Sequence, residues 1–71
     1  MIDAREIAKL AEFYDRYANA LDPTTPERQL AKRQFHARLD AMHQQFGHGI
    51  EFDTFRVEMI RHCKEYLRKN L

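Results

Sequence analysis

Both prolines and both glycines of this 71-residue chain fall in two short segments, Pro23–Pro26 and Gly47–Gly49. These are the strongest local breakers of regular structure, so three long stretches without a breaker remain. A chain punctuated only twice, and nowhere alternating apolar and polar residues over strand length, is predicted to be all-α with three helices.

The first breaker is the sharper one. Pro23 disfavours helical geometry at Asp22. Three residues on, Thr25-Pro26-Glu27 reads as a start: a threonine N-cap, a proline at the first helical position and an acid in the first turn. Upstream, Ile7, Leu10, Tyr14, Tyr17 and Leu21 recur at spacings of 3 and 4, the stripe of a helix over 3–21, with Ala11 and Ala18 widening it. Downstream, Ala31, Phe35, Leu39, Met42 and Phe46 mark a helix over 26–46, which Gly47 is expected to end as a left-handed C-cap. The third helix is expected over 53–70. Asp53 caps it there, and Phe52 staples onto Val57. Short connections make neighbours antiparallel. The expected fold is therefore a three-helix antiparallel bundle forming one domain over 1–71.

Apolar residues are 44% and charged residues 32% of the chain, a balance normal for a folded domain rather than a disordered one. The net charge is +1, without the basic excess of a nucleic-acid-binding domain. The single cysteine, Cys63, rules out a disulfide framework and suits a reducing compartment. The first residues lack the basic and apolar regions of a signal peptide. No apolar run approaches the roughly 20 residues of a membrane span. The expected location is the cytoplasm, with no membrane role.

Placed around each helix at ~100° per residue, the apolar side chains exceed what one core needs. Helix 2 carries Leu30, Ala37 and Ala41 opposite its main stripe. Helix 3 has a wide arc of Phe52, Phe55, Met59, Ile60, Cys63, Tyr66, Leu67 and Leu71, and Arg56 falls inside it. That guanidinium is expected to snorkel to water or to an acid of helix 1. Phe13 lies at the edge of the helix 1 arc. Phe13, Leu30, Ala37, Ala41 and Arg56 are therefore candidate interface residues. The partner they suggest is another protein or a second copy, since a two-fold homodimer is the commonest oligomer.

Chemistry-bearing groups are sparse. His36, Asp40 and His43 share one face of helix 2 and are the only candidates for holding a metal such as zinc. They lack the HExxH pattern, and a solvated polar face is the better explanation, so no metal is expected. His62 and Cys63 are neighbours in sequence and so point about 100° apart on a helix, too far for a nucleophile–base pair. The chain contains no serine and no glycine-rich phosphate loop. No enzyme, cofactor or small-molecule substrate is expected. Arg28 and Lys32 on helix 2, with Arg61, Lys64 and Arg68 on helix 3, form basic stripes that could meet phosphates. Glu58 and Glu65 flank the helix 3 stripe and argue against it. The leading expectation is a small, non-enzymatic, self-associating interaction module. Nucleic-acid binding is the first alternative and metal binding the second.

Overall fold

The computed structural model describes residues 2–70. They form three helices: α1 Ala4–Ala18, α2 Pro26–Phe46 and α3 Phe52–Lys69. No strand occurs among the described residues. Leu71, placed above in the apolar arc of helix 3, lies outside them.

The start of α2 follows the sequence closely. Thr25 has extended backbone geometry and its hydroxyl oxygen accepts from the Arg28 backbone N–H at 3.2 Å. Pro26 follows at the first helical position. Asp22 organises the preceding turn by accepting from both the backbone N–H and the hydroxyl of Thr24, at 2.9 and 2.7 Å. Those two bonds hold its carboxyl below the usual carboxylate range.

The end of α1, the start of α3 and the geometry of Gly47 differ from expectation. Helix α1 ends at Ala18, not Leu21, because Asn19 closes it: its backbone N–H donates to the Asp15 carbonyl and its side-chain amide to the Asp15 carboxylate. Leu21 is then fully exposed and contributes nothing to the core. Helix α3 starts a residue early, at Phe52. Glu51 takes the cap position without a side-chain hydrogen bond, and Asp53 sits in the first turn. The staple is not made, since Val57 is 56% exposed. Gly47 has φ −102°, outside the left-handed region. The positive φ of this turn belongs to Gly49, at +84°. The Ile50 N–H donates to the Gly47 carbonyl at 2.9 Å, closing a β-turn that needs glycine at its third residue.

The core draws on all three helices: Leu10 and Ala11 from α1, Ala31, Phe35, Leu39 and Met42 from α2, and Phe55, Met59 and Cys63 from α3. Helix α1 packs along both other helices, whereas α2 and α3 meet each other only over a narrow seam. Where α1 crosses α2, Phe35 is flanked by Tyr14 and Tyr17, with ring centroids 5.6 and 5.8 Å away. The Arg28 guanidinium covers the outer face of Tyr17 at 5.0 Å. Near the other end of α1, Arg38 donates to Glu6 at 3.2 Å, the one ion pair among the described residues that joins two helices. The remaining ion pairs are local and exposed, a class worth little to stability.

Candidate functional site

The proposed metal ligands on α2 do not converge. His36 donates from Nδ1 to the Lys32 carbonyl at 2.8 Å, one turn back on its own helix. His43 donates from Nε2 to the Ile50 carbonyl at 2.7 Å. Its ring also stands edge-on to Phe52 at 5.3 Å and tilted against Phe55 at 5.2 Å. His43 is thus a latch that fastens the α2–α3 turn to the start of α3. Among the described residues no three metal-ligating side chains come together. Sequence reasoning missed this role. The available signal was the position of His43 beside the Met42–Phe46 stripe, one turn before Gly47.

The basic residues are largely committed within the chain. Arg61 donates to Glu58 at 2.6 Å, a bond that lowers the Glu58 carboxyl and raises the guanidinium. Arg68 and Lys69 both approach Glu65. Arg28 lies over Tyr17. Lys32 and Lys64 are exposed. The acids that argued against a phosphate-binding stripe are therefore its direct partners.

Of the candidate interface residues, Leu30, Ala37 and Ala41 are exposed on the outer face of α2, with Leu30 at 51%. Phe13 is half-buried and packs against the core. Only part of its ring is left at the surface. For Arg56 the expectation is water or an acid of α1; its side chain is 39% exposed and its guanidinium lies 3.5 Å from Asp53 of its own helix, with no acid of α1 as partner. One turn separates those two residues, within easy reach of the guanidinium.

Cys63 is fully buried, and desolvation pushes its thiol up to about 12. The adjacent Tyr14 hydroxyl is raised as well, chiefly by burial and then by Cys63. The thiolate is the nucleophile, so native Cys63 should ignore a thiol reagent such as Ellman's reagent at pH 8 and react stoichiometrically in denaturant. A fast native reaction would show that the site opens. The same raised value sets a pH dependence. The fold favours the neutral thiol, so this contribution is intact below the unfolded value, near 9.0. It is lost as pH rises from there towards about 12. Thermal melts should decline over that alkaline window, and less so in Cys63→Ala.

Open depressions cluster along one side of α3. One, of about 400 Å³, lies between α1 and the end of α3, edged by Arg5, Lys9, Glu12 and Asp15 and floored by Ala8, Tyr66 and Leu67. Another of about 330 Å³ continues past Leu67 to Tyr14, Asn19, Lys64 and Arg68. Both are grooves rather than enclosed cavities. No family model, curated protein or solved structure matches the chain. Among the described residues no helix is long and apolar enough to cross a membrane.

Proposed function

We propose that this chain is a small non-enzymatic helical interaction module that associates with a second copy of itself. The observation that supports it is surface. Accessible area scales with mass as roughly 6.3 M^0.73, about 4,700 Å² at this size, whereas the 8.6 kDa chain exposes 5239 Å². Its radius of gyration is 12.1 Å, against about 11 Å for a compact chain of this length. The excess includes apolar side chains that folding covers only in part, such as Tyr66 and Leu67 beside α1, and others that it leaves exposed, such as Leu30, Ile50 and Val57. Association with another chain is one way for a small domain with a marginal core to cover such area. A non-enzymatic role accords with the groups available: the one thiol is buried and protonated, and the histidines of α2 are engaged with backbone carbonyls.

Sedimentation equilibrium over a series from low to high micromolar concentration tests this. The expected mass rises from 8.6 kDa towards twice that value. A mass that stays at one chain throughout would refute self-association.

A further inference from the structure

We propose that the second copy seats on the groove between α1 and α3, with the two α1 helices antiparallel across a two-fold axis near Ala8 and Glu12; this rests on the self-association proposed above. Two features of the groove matter: its order of charge suits a copy of the chain, and its floor supplies apolar surface for one to cover.

The first is the order of charge along its α1 edge. Arg5 and Lys9 occupy the N-terminal half, Glu12 and Asp15 the C-terminal half. A two-fold axis across the middle of that edge lays the basic half of each chain on the acidic half of the other. In an isologous interface each such pairing occurs twice. A parallel copy would instead set like charges against like. Two of these charges have only local, exposed partners that a second chain can compete for: Arg5 is 93% exposed in its side chain and 3.7 Å from Asp3, and Glu12 is 59% exposed and 3.5 Å from Arg16. Among the described residues Lys9 and Asp15 form no ion pair, and the Asp15 carboxylate accepts only the Asn19 side-chain amide at 2.7 Å.

The second is the floor. Ala8 is the small residue at the centre of the edge, where helices crossing on an axis come closest. Tyr66 and Leu67 lie beside it, half-buried, and offer apolar surface that α1 does not cover. The result is an apolar strip within a charged rim, the layout of a protein interface. The outer face of α2 also exposes apolar surface, with Leu30 at 51%, but Leu30, Ala37 and Ala41 bring no order of charge that would orient a second copy.

The test uses two full-length variants, Arg5→Glu with Lys9→Glu, and Glu12→Lys with Asp15→Lys. The first makes the edge wholly acidic and the second wholly basic. Sedimentation equilibrium is run on the wild type, on each variant and on their equimolar mixture, with helicity followed by circular dichroism. The expected result is a wild-type dimer, self-association weakened about a hundredfold in each variant alone, and a two-chain complex regained in the mixture. Regained association also demonstrates that both variants fold. If the wild type dimerises and both variants still do so with unchanged affinity, the groove is not the interface and self-association stands by another face; Leu30→Asp then examines α2. Variants that are monomeric alone and remain so when mixed would overturn the antiparallel pairing. A monomeric wild type would overturn both this interface and the self-association.

Discussion

Phe35→Ala should remove most of the stability of this domain. Phe35 is 1% exposed and lies against Tyr14 and Tyr17, so truncating it empties the contact that holds α1 on α2. Phenylalanine-to-alanine changes in cores cost about 3–5 kcal/mol. A chain of 71 residues has on the order of 4–10 kcal/mol in total. The melting temperature should fall by at least about 15 °C, and the unfolding transition should broaden. Leu30→Ala, on the outer face of the same helix, should change stability by no more than about 0.5 kcal/mol in the monomer. Thermal and urea unfolding followed at 222 nm separates the two. A Phe35→Ala protein melting within a few degrees of wild type would mean that α1 is held chiefly elsewhere.

Gly47→Ala should destabilise by about 1–3 kcal/mol, through crowding rather than backbone geometry. Its φ of −102° suits any residue, but an added Cβ would stand 2.6 Å from His43 Cδ2, 2.9 Å from the His43 carbonyl oxygen and 3.1 Å from a Phe55 ring carbon. The imidazole cannot swing away without losing its bond to the Ile50 carbonyl. Gly49→Ala works by the opposite mechanism. Nothing lies within 4 Å of its added Cβ, while φ +84° strains any side chain, at a cost of about 1–2 kcal/mol. A cycle with His43→Ala distinguishes them. It should recover part of the Gly47→Ala loss and none of the Gly49→Ala loss. Full additivity at position 47 would show that the imidazole is not the obstacle.

The paired glycines illustrate what can be read from sequence here and what cannot. Gly47-His48-Gly49 marks a turn unmistakably, yet which glycine carries the positive φ depends on where the turn hydrogen bond closes. The second helix was legible almost to the residue, since Thr25, Pro26 and the Ala31–Met42 stripe all agree. The end of the first was not. Leu21 continues the periodicity perfectly, but Asn19 finds a local partner in Asp15 and stops the helix before that stripe is complete. Likewise Asp53 is a better capping residue than Glu51, but Phe52 is drawn into the helix by its contact with His43 and the neighbouring core. A local side-chain bond decides the first boundary, and a tertiary contact outweighs local preference at the second. The candidate site was less legible than the fold. The face pairing His36 with His43 was visible as a helical spacing, whereas the carbonyls that occupy both rings belong to a turn and a backbone direction that spacing does not encode. The α1–α3 groove could not be seen either, because it joins residues about 55 positions apart that only the packing brings together.

That α2 and α3 share only a narrow seam has a consequence for how the chain is made. During synthesis α1 and α2 leave the ribosome first and can close on each other through Phe35 and the Glu6–Arg38 pair. The half-molecule so formed keeps one flank of α1 unoccupied until α3 arrives with Met59 and Cys63. Helix α1 is thus the surface that both later helices share in the finished fold. A chain lacking α1 would leave Phe35 and Leu39 on one arm and Met59 and Cys63 on the other, with little to draw the two arms together.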